Sequence, residues 1–593
     1  EGMGDSFEVR APMKALVIQV RAQAGQQVAK GETLVILEAM KMEHIVAAEQ
    51  SGVVTRVHVD PDAMVDEAQP LVSLRAAEVE SANVADAAAS IDEARADLAE
   101  VIARHAFGLD ENRPEAVAKR RKTGQRTARE NVQDLVDEGS WVEYGALVIA
   151  AQRQRRPKDE LIARTPADGM LAGMGRINAQ LFGEENTRAV VTSYDYTVLA
   201  GTQGTMNHLK KDRMFEVAAE QHLPVVLFSE GGGGRPGDTD YAVVAGLDCR
   251  AFQYFAELSG KVPLVGINSG RCFAGNAALL GCCDVVIATK ASNIGMGGPA
   301  MIEGGGLGVY APDQIGPSAT QYRNGVIDVL VQDDEEAVAV AKKYLGYFQG
   351  ELREWDHADQ RELRAAIPEN RLRVYEVRKV IETLADTGSI LELRAGFGHG
   401  IVTALARVEG KPLGIIANNP SHLGGAIDGE AADKAADFMA LCNRFGLPLV
   451  FLCDTPGFMV GPDAEETAMV KRAARLFTTG ASLGVPFCTI VLRKGYGLGA
   501  QSMAGGSFKA PVFTISWPSG EFGGMGLEGA VKLGFRKELE SIEDPAARDA
   551  MFQKMVALAY ERGKAINMAE HFEIDAVIDP SDTRRWIMTA IRS

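Results

Sequence analysis

The sequence predicts a small all-β unit followed by a large α/β region built from two related halves. Three observations support this fold class. The first 76 residues repeat apolar positions at an offset of 37, and the chain beyond residue 220 repeats at offsets of 223 to 224. The length of 593 residues is enough for about three to five domains of ordinary size.

Composition excludes several classes of protein. Lys and Arg number 62 against 80 Asp and Glu, and the net charge of −18 disfavours binding to nucleic acid or anionic lipid. No apolar run is long enough to span a membrane, so no membrane association is expected. The seven cysteines lack C-x-x-C spacing, which predicts free thiols and a cytoplasmic location. The nine histidines show no ligand spacing, and no metal is expected.

The repeat in the first 76 residues predicts short strands. Val17 matches Val54, Leu34 matches Leu71 and Leu37 matches Leu74 without a gap. Each copy alternates apolar and polar residues between turn-like segments, which is typical of strands. Two such copies predict a sandwich or flattened barrel with pseudo-twofold symmetry.

The segment between the two copies predicts a hairpin tip that carries a lysine. Glu38 to Glu43 interrupts two apolar runs, so Lys41 is expected to point outward. A lone exposed lysine is usually a solvated charge. Here Met40 and Met42 flank it, and Ala39-Met40-Lys41-Met42 resembles the attachment motif of biotin carboxyl carrier domains. The resemblance implies covalent biotin on Lys41. The early Ala11-Pro12-Met13 segment lacks the Pro-Gly that often follows in that family.

Residues 77–110 are expected to form a helical linker, because Ala76 to about Ala106 is rich in Ala, Glu and Asp. We therefore predict a carrier domain over residues 1–76 that can move.

The long repeat predicts two homologous halves, over residues 111–345 and 346–593. Leu223 to Gly232 aligns with Leu447 to Pro456, and Phe273 to Ala277 aligns with Tyr496 to Ala500. Strand, glycine turn and helix recur in both halves, which favours stacked β-β-α units. The helical patterns include Arg250 to Leu258 and Ala468 to Leu476.

Glycine turns in these halves are candidate binding loops. Without a Cβ, backbone N–H groups can converge on one ligand oxygen. A single glycine turn is more often a plain tight turn. Four consecutive glycines, Gly231 to Gly234, are harder to explain in that way because they cost backbone entropy.

From about Arg113 onward the chain resembles the carboxyltransferase β-type component of biotin-dependent acyl-CoA carboxylases, which has two crotonase-like (β-β-α superhelix) domains. The motifs that carry this resemblance are Thr127-Ala128-Arg129-Glu130, Gly139-Ser140-Trp141-Val142-Glu143, Gly232-Gly233-Gly234-Arg235, Asp454-Thr455-Pro456-Gly457-Phe458 and Arg493-Lys494-Gly495-Tyr496-Gly497. Each motif is weak alone, but their order is specific. The preceding carrier is similar to that of single-chain bacterial long-chain acyl-CoA carboxylases.

The resemblance implies a role for each loop. Gly233 and Gly234, with Gly232 shaping the turn, would receive the acyl-CoA carbonyl, and Gly499 and Ala500 would receive the biotin ureido oxygen. Backbone donors suit the anions that form when CO2 is transferred from carboxybiotin to the α-carbon of the thioester. The cofactor would itself take the α-proton, which explains why no Ser-His-Asp or paired-carboxylate arrangement is apparent.

The basic cluster from Lys119 to Arg129 has two interpretations. It is either a solvated helical face or a site for the CoA phosphates, for which Arg126 and Arg129 are the candidates. Ser502 and the glycine-rich stretch from Gly295 to Gly308 would suit a roomy acyl pocket, although such a stretch is equally compatible with packing.

The resemblance also implies partners. ATP, Mg and bicarbonate would act only through a biotin carboxylase domain upstream in the same polypeptide, with which the start at Glu1 agrees. A homo-oligomer, a hexamer, is expected. The alternatives are a biotin-dependent decarboxylase or transcarboxylase that works without ATP, and a non-catalytic carrier scaffold whose glycine loops are only structural.

Overall fold

The computed structural model describes residues 6–79, 94–242 and 245–591. The chain divides into two compact units, Glu1–Ile102 and Ala103–Ser593. The described residues of the first unit are all-β apart from the start of one helix, and the second unit is mixed α/β, so the predicted fold class is confirmed.

The small unit consists of two four-stranded sheets. Its strands are β1 Ser6–Arg10, β2 Ala15–Val20, β3 Gln27–Val28, β4 Thr33–Ala39, β5 Met42–Ala47, β6 Gly52–Val57, β7 Met64–Val65 and β8 Pro70–Ala76. The sheet orders are β1-β8-β6-β3 and β5-β4-β2-β7. The repeated positions Val17, Val54, Leu34 and Leu71 are buried in the common core, because alternate residues of each strand face inward.

The backbone of the small unit repeats with the sequence. Gly25 and Asp62 both have positive φ, as do Gly31 and Ala68, and each pair is 37 residues apart. The predicted internal duplication is therefore confirmed at the level of individual turns.

The first helix, α1, spans Ala96–Ala106 and has no buried residue. It agrees with the helical character predicted for this segment. Residues 80–93 of the predicted linker lie outside the described residues.

The first half of the large unit is a seven-stranded sheet covered by helices, with order β18-β16-β14-β12-β11-β10-β9, and a small sheet β13-β15-β17. Its elements are α2 Pro114–Lys122, α3 Ala128–Leu135, β9 Val142–Glu143, α4 Lys158–Arg164, β10 Met170–Arg176, α5 Ala179–Phe182, β11 Arg188–Tyr194, α6 Thr205–Gln221, β12 Val225–Phe228, β13 Gly231–Gly232, α7 Ala251–Glu257, β14 Leu264–Asn268, β15 Arg271–Phe273, α8 Gly275–Gly281, β16 Val285–Thr289, β17 Asn293–Gly295, α9 Pro299–Gly304, α10 Ser318–Arg323, β18 Val329–Val331 and α11 Asp334–Gly346.

The second half repeats this topology, with strand order β19-β20-β21-β22-β23-β24-β26 and with β25 paired to β23. Its elements are α12 Val377–Leu384, β19 Leu391–Leu393, β20 Ile401–Val408, β21 Lys411–Asn418, α13 Gly429–Arg444, β22 Leu449–Thr455, α14 Pro462–Glu466, α15 Met469–Ala481, β23 Phe487–Tyr496, α16 Gly497–Ser502, β24 Thr514–Ser516, β25 Glu521–Gly523, α17 Leu527–Gly534, α18 Arg536–Glu540, α19 Pro545–Arg562, α20 Ala565–Glu570, β26 Ala576–Val577 and α21 Thr583–Ile591.

Each half starts its sheet with two antiparallel pairs, β9–β10 and β10–β11 in the first half and β19–β20 and β20–β21 in the second, and continues with parallel strands. The central strands are apolar throughout because helices cover both faces. The two helices predicted from periodicity are confirmed as α7 and α15.

One hydrophobic core joins the two halves. It includes Leu135 and Tyr344 from the first half and Phe438 and Phe451 from the second. All seven cysteines carry free thiols, as predicted. None of the helices in the described ranges combines the length and apolar character that a bilayer crossing requires.

Candidate functional site

Lys41 lies at the tip of the hairpin formed by β4 and β5. Ala39 pairs with Met42, which leaves Met40 and Lys41 as a two-residue turn. Both have positive φ, 52° and 64°, as a type I′ turn requires. Such turns favour Asn and Gly, so a Met-Lys pair here is a strained choice of the kind found at functional positions.

The hairpin also exposes the flanks of the lysine. Met40 is 97% exposed and Met42 is 66% exposed. Lys41 is exposed and forms no ion pair with a described residue. The predicted hairpin tip is confirmed, and its lysine is free to carry a covalent group.

Each glycine turn of the large unit has a counterpart in the other half. Gly233 and Gly457, 224 residues apart, both have positive φ, and so do Ala274 and Gly497, 223 residues apart. The isolated bridge between Gln203 and Gly234 is repeated as the bridge between Ile427 and Phe458. The predicted duplication therefore extends to the backbone of the loops themselves.

In the first half, the three glycines named from the sequence have different surroundings. Gly232 belongs to β13 and pairs with Phe273. The Gly233 N–H donates a long hydrogen bond, 3.4 Å, to Asn276 Oδ1, and the Gly233 carbonyl accepts from the Gln203 N–H at 2.6 Å. Gly234 is exposed, its N–H has no acceptor among the described residues, and a Cβ there would meet nothing within 4 Å.

Buried ion pairs fix both ends of this loop. Before it, Arg120 pairs with Glu230 at 2.7 Å, and burial raises the pKa of Glu230. After it, Arg235 pairs with Asp168, and burial raises the pKa of Asp168. Removing one partner of a buried pair leaves an uncompensated charge, so these pairs hold the loop in one position.

In the second half, Gly499 and Ala500 lie in the first turn of α16 and are buried. The Gly499 N–H has no acceptor among the described residues, as expected for a first-turn amide that no side chain caps, whereas the Ala500 N–H lies where the first hydrogen bond of the helix forms, to the Tyr496 carbonyl. A Cβ on Gly499 would lie 2.6 Å from the Cα of Gly457, so this position requires glycine. Buried, unpaired donors of this kind are suited to an anionic oxygen.

A carboxylate supports this second loop as Glu230 supports the first. Asp454 lies near the end of β22, at the position equivalent to Glu230. It accepts from the Tyr375 hydroxyl at 2.8 Å and from the Lys494 N–H at 3.0 Å, and the Arg493 guanidinium lies 3.3 Å away. In each half the loop is thus anchored to a buried acid and its arginine.

A cavity of about 1260 Å³ adjoins Gly497 and Ala500. Its walls are mostly apolar, with Leu498, Gln501, Phe508, Phe522, Leu527 and Phe572 among them. Gln501, and not Ser502, lines this wall, because the Ser502 hydroxyl donates to the Gly499 carbonyl.

Arg126 and Arg129, the candidates for CoA phosphate, are both occupied by carboxylates. Arg126 pairs with Asp134 at 2.7 Å, and Arg129 pairs with Glu143 at 3.0 Å. A phosphate would have to compete with these partners, so their role in CoA binding remains a prediction.

Thr127 and Glu130 of the same motif form a capping box at the start of α3. This accounts for both residues structurally. Among the described residues, no cluster of three or more His, Cys, Asp or Glu side chains is arranged to hold a metal ion.

Sequence reasoning missed a buried polar group behind the first glycine loop, formed by Tyr194, Gln203, Lys211 and Asn276. One signal was present in the sequence. Asn276 occupies the position that Gly499 holds in the second repeat, so a strict alignment of the two repeats shows a polar residue opposite a glycine there.

Comparisons with known proteins agree with this geometry. The carboxyl transferase domain family matches residues 119–593. The family described as biotin-requiring enzyme matches residues 7–74. The methylmalonyl-CoA carboxyltransferase 12S subunit of Propionibacterium freudenreichii subsp. shermanii is 33% identical over 497 residues, 80% of this chain and 90% of that protein. The biotin-dependent long chain acyl-coenzyme A carboxylase beta4 subunit of Mycobacterium tuberculosis is 32% identical over 504 residues, 82% of this chain and 92% of that protein.

Two solved structures are similar over much of the chain. One, a single-chain, multi-domain long-chain acyl-CoA carboxylase, is 56% identical with a TM-score of 0.82. It covers 99% of this chain, which spans only 56% of that longer one. The hexameric transcarboxylase 12S, with methylmalonyl-CoA and methylmalonic acid bound, is 31% identical with a TM-score of 0.73, covering 84% of this chain and 95% of its own. The resemblance seen in the sequence is confirmed.

Proposed function

Because this chain belongs to the carboxyl transferase domain family, we propose that it is the biotin carrier and carboxyltransferase portion of an acyl-CoA carboxylase. It would move CO2 from biotin on Lys41 to the α-carbon of an acyl-CoA. One observation carries this proposal: each half presents a backbone N–H without an acceptor among the described residues beside a glycine turn, at Gly234 in the first half and at Gly499 in the second.

The exposed Lys41 in its two-residue turn fits a covalently attached group. Biotin, when attached there, supplies a carboxylated ureido nitrogen and a basic atom that takes the α-proton. The chain's own residues position the reactants and stabilise negative charge. Gly233 and Gly234, shaped by Gly232, would receive the thioester oxygen on which charge develops.

Gly499 and Ala500 would receive the oxygen of the ureido group. Their burial supports this role, since hydrogen bonds to a developing anion are stronger away from water. A donor of this type contributes a factor of about 10² to 10³ in rate. Positioning adds to this, because both reactants are held in one geometry.

The substrate and partners are inferred from relatives. Acyl-CoA as substrate, a preference for long chains and a hexameric assembly are supported by the long-chain carboxylase and transcarboxylase relatives. ATP, Mg and bicarbonate would enter through a biotin carboxylase domain, and we place the enzyme in the cytoplasm. The division at residues 345 and 346 is supported by the end of α11 at Gly346.

The 33% identity to a methylmalonyl-CoA carboxyltransferase subunit favours transcarboxylation as the second candidate. Carboxylation of acyl-CoA that requires ATP and bicarbonate in the full polypeptide would support the carboxylase. Transfer from one acyl-CoA to another acceptor without ATP would support the transcarboxylase.

The proposal predicts that replacing Lys41 abolishes transfer. The variant Lys41→Arg should lack the mass of a biotin adduct and lose all CO2 transfer to acyl-CoA, because no other group carries the cofactor. Mass spectrometry of the intact chain and incorporation of labelled CO2 into a panel of acyl-CoA substrates measure both effects.

Lys30→Arg is a matched control, since Lys30 is also an exposed lysine of the small unit. It should keep full biotinylation and transfer. An adduct that persists in Lys41→Arg would place the cofactor elsewhere.

A further inference from the structure

The side chain of Asn276 connects the parts of the first glycine loop. Asn276 is fully buried at the start of α8. Its Nδ2 donates to the carbonyls of Gly201 at 3.1 Å and Ser229 at 3.2 Å, and its Oδ1 accepts from the Gly233 N–H. One amide group therefore joins the turn before α6, the end of β12 and the glycine loop.

Behind Asn276 lies Gln203. Its Nε2 donates to Asn276 Oδ1 at 3.0 Å and to the Tyr194 hydroxyl at 2.6 Å, and its backbone N–H donates to the Gly233 carbonyl. Gln203 thus contacts the loop directly and also through Asn276.

Lys211 ends the chain of contacts. Lys211 is fully buried on α6. Its Nζ contacts Gln203 Oε1 and lies 2.8 Å from the Tyr194 hydroxyl oxygen. It forms no ion pair with a described carboxylate, which is unusual for a buried lysine.

The second half lacks this network although its backbone is the same. The positions equivalent to Gln203, Lys211 and Asn276 are Ile427, Ala435 and Gly499. Packing of the shared fold therefore does not require these polar residues. We relate them instead to the function of the first glycine loop.

The hydrogen atoms can be counted through the network. Both Nε2 hydrogens of Gln203 and both Nδ2 hydrogens of Asn276 have acceptors. If Lys211 is an ammonium, its third hydrogen and the Tyr194 hydroxyl hydrogen have no acceptor among the described residues. If Lys211 is an amine, the Tyr194 hydroxyl donates to Nζ and Nζ donates to Gln203 Oε1, so only the second amine hydrogen has no acceptor among the described residues, against two hydrogens for the ammonium.

We propose that Asn276, Gln203 and Lys211 are positioning residues that set the geometry of the first glycine loop, and that Lys211 acts as an uncharged amine. This inference rests on the proposed function only for what the loop binds. Protonation of Lys211 would break the chain of donors and acceptors that holds Gly233 through Asn276, and would release the next residue, Gly234, from the orientation in which its open N–H receives the thioester oxygen.

The surroundings of Lys211 agree with a neutral amine. Burial lowers its pKa to about 7, and the charged or titratable groups around it are Cys249, Asp212, Asp168 and Arg235. Nearby His208 has its pKa lowered by burial to about 3 and stays neutral, while burial raises the pKa of Tyr194. Lys210, whose pKa burial lowers to about 8, donates to the carbonyls of Ala167 and Met170 instead.

Three variants of the biotinylated full chain test the proposal. Lys211→Gln keeps an uncharged donor and acceptor, Lys211→Met has neither, and Lys211→Arg is always charged and accepts no hydrogen bond. We expect the kcat for CO2 transfer to acyl-CoA to be reduced less than about 5-fold in the Gln variant and about 10- to 100-fold in Met and Arg, within the range of one lost oxyanion donor.

The KM for acyl-CoA should stay within about 2-fold, because the oxygen binds the loop more tightly in the transition state than in the ground state. Asn276→Ala should behave like Lys211→Met. A general cation requirement would instead leave Lys211→Arg active and Lys211→Gln inactive, which would overturn the neutral-amine assignment.

The pH profile gives a second readout. Wild-type kcat should rise as the pH passes about 7, where Lys211 loses its proton. This rise should be missing in Lys211→Gln. An identical rise in the variant would assign it to another group and contradict the proposal.

Hydrogen exchange of the backbone amides from 229 to 235 tests positioning without any substrate. Exchange should be faster in Lys211→Met, Lys211→Arg and Asn276→Ala than in wild type, and unchanged in Lys211→Gln. Unchanged exchange and kcat in all four variants would refute positioning. If wild type transfers no CO2, the proposed function fails, while the exchange data still decide the structural inference.

Discussion

At the scale of single residues, Gly499 is a position of the candidate site that does not tolerate a side chain, because a Cβ there would lie 2.6 Å from the Cα of Gly457. Its missing Cβ leaves room for Gly457, and its N–H faces no acceptor of its own chain in the described ranges. Glycine at this position thus permits the close approach of two loops and leaves its backbone N–H available to a ligand.

Gly499→Val is expected to lower the rate of CO2 transfer about 10²- to 10³-fold, because a Cβ would displace the first turn of α16 and its amides. Biotinylation of Lys41 should be unchanged. Transfer rates and intact mass measure the two effects.

Gly484→Ala is the matched control, since its Cβ would meet only the Asn443 side chain at 3.7 Å. It should retain wild-type transfer. A fully active Gly499→Val would show that these amides do not take part.

Some of these residues were predictable from the sequence and others were not. Lys41 and Gly499 stand in motifs or repeats whose local pattern carries the information. Gln203, Lys211 and Asn276 are distant in the chain, and only the packing of α6 against β11 and of α8 against the loop brings them together. The density of charge in the basic cluster did not indicate that Arg120 lies buried in an ion pair with Glu230.

At the scale of secondary-structure elements, buried lysines recur on the helices that cover the sheets. Lys434 on α13 is 1% exposed, and its Nζ donates to the Phe397 carbonyl at 2.9 Å. It plays the part in the second half that Lys210 plays in the first, where a lysine nitrogen satisfies carbonyls of a neighbouring turn.

Burial lowers the pKa of Lys434 to about 7 from an ordinary 10.5. Between these values the unfolded chain binds more protons than the folded one, so stability rises with pH. The wild type should gain about 2 kcal/mol of unfolding free energy relative to Lys434→Met between pH 7 and pH 9.

Thermal unfolding midpoints of both proteins across this pH range measure the gain. Lys411→Met provides a control, because Lys411 is half-buried and paired with Glu351 at 2.9 Å. Parallel curves for wild type and Lys434→Met would show that Lys434 does not titrate there.

Strand and helix positions could be predicted because their periodicity is local. The strands β12 and β22 and the helices α7 and α15 follow from apolar runs and 3.6-residue patterns. The order of strands within each sheet depends on contacts between distant segments and was outside the reach of these patterns.

At the scale of the whole molecule, the small unit has its own core, whereas the two halves of the large unit share one buried cluster in addition to clusters of their own. Tyr344 and Leu345 of α11 belong to the same buried cluster as Leu441 and Phe451 of the second half. The boundary between the two halves is clear in the sequence, but one buried cluster of side chains extends across it.

We expect residues 1–79 to fold alone and accept biotin, and residues 103–345 to aggregate when produced without the second half. Without the second half, the apolar surface of the shared cluster is exposed to water. Each Å² so exposed costs roughly 25 cal/mol of stability. Circular dichroism with thermal unfolding and light scattering would test both fragments. A soluble, cooperatively unfolding first half would contradict the shared core.

Ala274 and Gly497 hold the same left-handed backbone position in the two halves, although only one of them is a glycine. An ancestor with a single half would have had identical pockets in every copy, and any change would have altered both at once. Joining two copies in one polypeptide lifted that restriction. One loop could then acquire the polar residues Gln203, Lys211 and Asn276 behind it while the equivalent positions of the other hold Ile427, Ala435 and Gly499, so that two related sites can bind different groups.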